Sequence, residues 1–392
     1  MNKVTCPYCY EPISLAKLHF QCYGRSPVGE GCQRIQDETR ERWTGYALPS
    51  WPTFPPPRGL AGRRKSAVCP LCQGIATVRA CPTCHTPLPK VIGEDRRSPR
   101  IGLIGGKSAG KTVFLTVLEH ELFESIRRRF KADVQHIGDS QAGMASTGQW
   151  LKAYQQALYH DKVLPNQTPS AARGLRPPVV LSWRQRRRHY GRVRPRSSII
   201  TFYDAAGEDM TTQDQINVQR YLDAVDALIV VLDPWQLPGA HARITVPTKA
   251  DPDATPVEVL SRVTERLRYH ERGGYIRIPV AVVFAKMDSF FAALGEDHPL
   301  LDRPREAAGY DEPMGRATHE HVRKLLDGLG ADAIDTLLRN NYKRYRYFAV
   351  SALGREPDYH RDAVAAAGVH PHRVDEPLLW LLSLFRIVDQ VK

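Results

Sequence analysis

Residues 101–112 read Ile101-Gly102-Leu103-Ile104-Gly105-Gly106-Lys107-Ser108-Ala109-Gly110-Lys111-Thr112, a short apolar run feeding a G-x-x-x-x-G-K-T loop. The order of residue types has a chemical reason. A buried strand delivers the chain to a glycine-rich turn, where backbone N–H groups converge on phosphate oxygens. Lys111 is placed to bridge the β- and γ-phosphates, and Thr112 to offer its hydroxyl to Mg²⁺. A helix is expected next, because Phe114, Leu118, Leu122, Ile126 and Phe130 recur every four residues. A glycine turn between strand and helix can arise without a ligand. The complete loop in this setting predicts a phosphate-binding site.

Working outward, apolar runs alternate with amphipathic stretches from Arg100 onward, which predicts an α/β domain. Residues 199–203 (IITFY) read as a strand ending in Asp204-Ala-Ala-Gly207. An acid there can hold a Mg²⁺-bound water, and the Gly207 N–H can sense a γ-phosphate. Further strands are expected at 227–232 (ALIVVL), at 279–284 (PVAVVF) before Ala285-Lys286-Met287-Asp288, and at 347–350 before Ser351-Ala352-Leu353.

These four elements, in this order and each at a strand's C-terminal end, resemble those of the translation-factor-related class of GTPases, which includes the Ras-like and Era-like domains. The phosphate loop, D-x-x-G, [NT]-K-x-D and S-A motifs of that class fall on 105–112, 204–207, 285–288 and 351–353. The resemblance covers residues 100–392. It implies a mainly parallel sheet and Mg²⁺-dependent binding and slow hydrolysis of GTP to GDP. It also implies a switch role towards a protein effector. Asp288 would accept two hydrogen bonds from guanine, Lys286 would lie over the base, and Ser351 with Ala352 and Leu353 would close over O6.

Departures from the pattern matter too. Ala285 stands where the class has Asn or Thr tying this loop to the phosphate loop, and Glu208 where many members have a water-orienting Gln. Ser108 resembles the dynamin-like loop, and Lys107 is either a charge supplied in cis or a solvent-facing lysine. An added helix is expected at 148–158, and the Mg²⁺-binding Thr of the first switch is read as Thr168, with Thr147 as alternative.

All eight cysteines lie ahead of this domain: Cys6, Cys9, Cys22, Cys32, Cys69, Cys72, Cys81 and Cys84. Cys-x-x-Cys knuckles in a chain with no signal peptide point to metal rather than disulfides. The expected grouping is two structural Zn²⁺ sites, one on Cys69, Cys72, Cys81 and Cys84, the other on Cys6, Cys9, Cys22 and Cys32. His19 could replace a ligand of the latter, and a cross-braced arrangement mixing the two groups is the rival. Residues 48–65 (LPSWPTFPPPRGLAGRRK) read as a semi-extended connector. The expected organisation is a zinc ribbon or knuckle module over 1–98 and a P-loop GTPase domain over 99–392.

Composition bounds the rest. The chain has 392 residues, 42% hydrophobic and 25% charged, which excludes collagen-like and disordered classes. No apolar run is long enough for a membrane span, so a cytoplasmic protein is expected. The net charge of +13 favours anionic partners. Nine arginines and no acid lie between Arg173 and Arg196, on an expected hairpin. They form either a nucleic-acid patch or a solvated edge protected by charge. The zinc module, enlarged GTPase domain and closing apolar helix at 374–384 together resemble the bacterial double-GTPase group, proposed to act in multi-component systems. The alternatives are a nucleic-acid- or ribosome-associated GTPase, a nucleotide-binding scaffold with little turnover, or an ATPase.

Overall fold

Among the described residues, seven strands form the main sheet: β1 (Arg100–Ile104), β2 (Ala132–His136), β3 (Val179–His189), β4 (Arg192–Asp204), β5 (Ala227–Leu232), β6 (Val280–Phe284) and β7 (Tyr345–Ala349). Their order across the sheet is β7-β6-β5-β1-β4-β3-β2. In this computed structural model the described residues are 3–44, 49–57, 65–93, 98–137, 149–165, 177–189, 192–204, 211–217, 219–246, 255–269, 273–303 and 307–391. Packing groups the chain into two compact units. One comprises Met1–Ser98, Gln135–Trp150 and Ala172–Thr201; the other comprises Pro99–Val134, Leu151–Ala171 and Phe202–Lys392.

In the second unit β1, β5, β6 and β7 are parallel, with Ile229 opposite both Leu103 and Ala281, and Val282 opposite Tyr347. Every residue of β5 and β6 is buried, as continuous Val, Ile and Leu runs require when both faces of a strand are covered. Parallel strands release the chain at one edge, so the turns after β1, β5, β6 and β7 gather there.

Helices among the described residues include α1 (Lys111–Glu121), α2 (Gln149–Gln155), α3 (Pro256–Arg268), α4 (Glu312–Gly328), α5 (Asp332–Asn341) and α6 (Glu376–Leu384). Phe114, Leu118, Leu122, Ile126 and Phe130 are all buried, so the four-residue spacing in α1 and its continuation marks a core face. The added helix expected near 148–158 is α2, continued by a π-helical turn at Gln156–Asp161. Local sequence sets the helix starts. Thr255 and Glu258 form a capping box ahead of Pro256, and Asp311 accepts from the Met314 N–H at 2.9 Å ahead of Pro313. α6 carries the apolar C-terminal run and is a buried core helix. No helix among the described residues is long and apolar enough to cross a membrane.

In the first unit, the strand His19–Gln21 is central to a three-stranded antiparallel sheet, flanked by Thr53–Phe54 and Val78–Ala80. Two short hairpins accompany it, Lys3–Thr5 with Pro12–Ser14 and Ala67–Val68 with Ile75–Ala76.

Candidate functional site

The phosphate loop runs from β1 into α1. Gly110 has φ 87°, in the left-handed region that favours glycine. A side chain at Gly105 would meet the Val231 carbonyl oxygen at 2.6 Å, so this residue also has no room for a Cβ. Lys111 is 6% exposed, and its Nζ donates to the carbonyls of Gly105 at 2.8 Å and Gly106 at 2.9 Å. The ammonium thus spans the loop's mouth. Thr112 Oγ1 donates to Asp204 Oδ2 at 2.9 Å, which joins the start of α1 to the end of β4. Lys107 is half-buried, Ser108 is exposed with φ 60°, and Ala109 is buried.

At the same edge, the turn after β6 carries Ala285, Lys286, Met287 and Asp288. Asp288 Oδ1 accepts a hydrogen bond from the Ser351 hydroxyl, which in turn accepts from the Gly354 N–H at 2.7 Å. Burial raises the Asp288 carboxyl above its ordinary value, opposed by the Ser351 hydrogen bond. The turn after β7 is held by a two-way pairing of Ser351 with His372. Ala352 and Leu353 are half-buried beside it.

The turn after β5, Asp233-Pro234-Trp235-Gln236, belongs to this site, although its residues carry no motif. Lys286 Nζ donates to Asp233 Oδ2 at 2.7 Å and lies 3.5 Å from the Trp235 ring centroid. Burial lowers the Lys286 ammonium's pKa, and Asp233 opposes that shift. Trp235 Nε1 donates to Ser289 Oγ at 3.3 Å, and the Tyr359 ring meets Trp235 edge-on at 5.0 Å. An acid immediately after a fully apolar strand was the one available signal. Asp233 sits there as Asp204 and Asp288 sit beside theirs.

Thr168, Gly207 and Glu208, together with Thr147, Arg173 and Arg176, lie outside the described residues. Of the arginine-rich hairpin, Arg184 and Arg186 are exposed on β3 and Arg196 is half-buried on β4.

The cysteines assemble into two tetrads: Cys6, Cys9, Cys81 and Cys84, and Cys22, Cys32, Cys69 and Cys72, each with its sulfurs within 4.8 Å of one another. This corrects the expected grouping, in which Cys6 and Cys9 joined Cys22 and Cys32, and Cys69 and Cys72 joined Cys81 and Cys84. The observed arrangement mixes the groups by nesting one tetrad's ligands inside the other's. Strand pairing is the cause. Residues 73–80 do not fold back on themselves to unite their flanking knuckles. Instead Ile75–Ala76 pairs with Ala67–Val68, and Val78–Ala80 pairs with His19–Gln21. Ala80 opposite His19 carries Cys81 to one end of that pair, while Gln21 opposite Val78 carries Cys22 to the other. His19 belongs to neither tetrad.

Three knuckles share one turn. Tyr10, Gln73 and His85, each directly after a second cysteine, have φ 66°, 59° and 56°. Their N–H groups reach back to the carbonyls of Cys6, Cys69 and Cys81 at 3.1, 2.9 and 2.9 Å. Sulfur–sulfur distances are 3.7 Å for Cys6–Cys84 and Cys9–Cys81, 3.5 Å for Cys22–Cys72 and 3.8 Å for Cys32–Cys69. Tetrahedral zinc with bonds of about 2.3 Å sets its sulfurs about 3.8 Å apart, so the donor sets fit that ion. All eight cysteines are free of disulfides. Backbone hydrogen bonds at Cys32 and Gly74 draw the Cys72 thiol down to about 6, while burial pushes the Cys22 and Cys32 thiols of the same tetrad up.

With this geometry in place, comparison with known proteins decides the family. The family described as Double-GTPase 2 matches residues 99–336, more than half of the chain. The chain belongs to that family. The Double-GTPase 2 match takes in β1 to β6, the phosphate loop and Asp288, and leaves Ser351 and the cysteine tetrads outside it.

Among solved structures, the S. cerevisiae Ski7 GTPase-like domain bound to GDP and inorganic phosphate is 11% identical, with TM-score 0.35, covering 77% of this chain and 53% of that one. The same domain bound to GTP is 10% identical with TM-score 0.30. The signal recognition particle receptor SRb-GTP/SRX complex from Chaetomium thermophilum is 16% identical with TM-score 0.28, covering 67% of this chain and 97% of that one. This chain spans about half the length of the Ski7 chains. At such TM-scores these likenesses add nothing to the sheet and loop described above. No curated protein matches the sequence.

Proposed function

We propose that this chain binds GTP with Mg²⁺ at residues 105–112, 204, 285–288 and 351–353, hydrolyses it slowly, and acts as a switch on a protein partner in a bacterial multi-component system. The observation that carries this reading is the placement of Lys111, Thr112 and Asp204 at the sheet edge where Asp288 meets Ser351. A phosphate-binding half and a base-reading half thus share one edge. Lys111 exchanges the carbonyls of Gly105 and Gly106 for phosphate oxygens when nucleotide enters. Thr112 and Asp204 offer the hard oxygens that Mg²⁺ takes, and the bound ion would neutralise phosphate charge. Asp288, ionised, accepts from guanine N1 and N2, a pair of donors that adenine lacks.

Slow turnover is inferred from the sequence alone, where Glu208 stands at the position that carries a neutral water-orienting Gln in many translation-factor-related GTPases. The two cysteine tetrads are proposed to hold one Zn²⁺ each. With four thiolates and no open position, their role is to fold the module.

Fluorescent-nucleotide titration with and without Mg²⁺ tests the reading. GTP should bind well ahead of ATP, and Mg²⁺ should strengthen it. ATP binding as tightly as GTP would overturn the base assignment and turn the domain into an ATPase.

A further inference from the structure

The base-side loop presents only a methyl group at Ala285, which can form no hydrogen bond to the phosphate loop. A different side chain spans the gap. Gln236, at the end of the turn after β5, donates from Nε2 to the Lys107 carbonyl oxygen at 3.3 Å. The turn that carries it is well anchored. Asp233 accepts from the Trp235 N–H at 3.1 Å and from Lys286, and the Trp235 indole reaches Ser289. One short helical turn, Pro234–Gln236 with its cap Asp233, thus grips the base-side loop through Asp233 and Trp235 and the phosphate loop through Gln236.

The bond has a directional consequence. The described peptides are all trans, so the carbonyl of Lys107 and the N–H of Ser108, which share one peptide plane, point opposite ways. Pinning that oxygen on Gln236 turns the Ser108 N–H away from Gln236. Ser108 itself has φ 60°, a less favourable backbone conformation for a residue with a side chain, and the Gln236 bond helps to hold the peptide in this orientation.

We propose that Gln236 is a positioning residue for the phosphate half of the site, holding the Lys107–Ser108 peptide so that the Ser108 N–H faces the nucleotide's phosphates. The inference rests on the nucleotide-binding reading above. It deepens that reading by naming what pre-orders the loop. A loop already ordered does not have to be ordered at the expense of binding energy.

The test replaces Gln236 with Met, which keeps length and neutrality but cannot donate. Gln236→Ala is the second variant should Met pack badly. Three quantities are read on the full chain: the affinity for GDP, the affinity for inorganic tripolyphosphate as a base-free probe, and the thermal midpoint without nucleotide. Loss of one net hydrogen bond's worth of ordering predicts about fivefold weaker binding of GDP and tripolyphosphate alike. The GDP-over-ADP preference should be unchanged, and the thermal midpoint should fall by no more than about 3 °C, the scale of one hydrogen bond in a domain of this size. Wild-type affinity for both ligands in both variants would overturn the proposal, as would weakened GDP with unchanged tripolyphosphate. A midpoint lowered well beyond that, with loss of the GDP-over-ADP preference as well, would make Gln236 a structural residue only, which also overturns it. If the wild-type chain binds no guanine nucleotide, it is the nucleotide reading that has failed, and this outcome is seen before any variant is made.

Discussion

Lys286 Nζ and Asp233 Oδ2 lie 2.7 Å apart, in a pair whose carboxylate side chain is 1% exposed and whose lysine side chain is 17% exposed. The lysine that the motif assigns to the base is therefore held by an acid from a different strand's end. Removing one member of such a pair leaves the other buried and uncompensated. Asp233→Ala should lower stability by about 3 kcal/mol in urea unfolding. Adding Lys286→Met should recover part of that loss. A single variant as stable as wild type would show that the pair is solvated in solution.

Lys111→Ala removes the ammonium that spans the loop's mouth. Binding of GTP, or its turnover, should disappear while the fold is retained. Equilibrium binding by fluorescence, with circular dichroism as a fold control, decides this. Unchanged affinity and rate would remove residues 105–112 from the proposed site.

Asp288→Asn exchanges one acceptor for a donor. The variant should prefer xanthosine triphosphate, whose C2 carbonyl accepts where guanine donates. GTP affinity should fall about ten- to hundred-fold, the usual scale for a charge-assisted pair. Competition between the two nucleotides on the variant gives the ranking directly, and GTP remaining the better ligand counts against Asp288 as base reader.

The same carboxylate gives a pH dependence. Burial raises its pKa, and only the ionised form accepts both guanine donors. A raised pKa means that protonation begins at a higher pH than for an ordinary aspartate. GDP affinity should thus weaken as the solution becomes mildly acidic, and Asp288→Asn should abolish that slope. A flat wild-type profile in that range would contradict the assignment.

Metal analysis should find two zinc ions per chain. Cys84→Ser should leave one, because Cys84 belongs to a single tetrad. The remaining ion should yield to weaker chelators than in wild type, since the pairing of Val78–Ala80 with His19–Gln21 borders both sites. Freshly purified protein without zinc would end the structural-zinc reading.

What the sequence made legible is local. The turn from β1 into α1, the buried runs of β5 and β6 and the knuckles at Cys6, Cys69 and Cys81 each depend on residues within one short segment. The partner of a knuckle does not. Cys72 and Cys81 are close in sequence, yet the strand between them takes its hydrogen bonds from residues near Phe20, and long-range pairing decides which thiols meet. Asp233 and Gln236 were hidden for the same reason. No spacing rule ties the end of β5 to Lys286 or Lys107, and only the parallel sheet brings those turns together.

The nesting of the tetrads sets an order of assembly during synthesis. The inner set, Cys22, Cys32, Cys69 and Cys72, is complete while the outer set still lacks Cys81 and Cys84. Once the inner set has closed, the ends of the outer set are separated only by the segments from Cys9 to Cys22 and from Cys72 to Cys81. The entropy of closing a loop grows with its length, so the first closure makes the second easier. A ribosome-borne chain can therefore bring its eight cysteines together from the inside outward, before the later strands of the main sheet have been made.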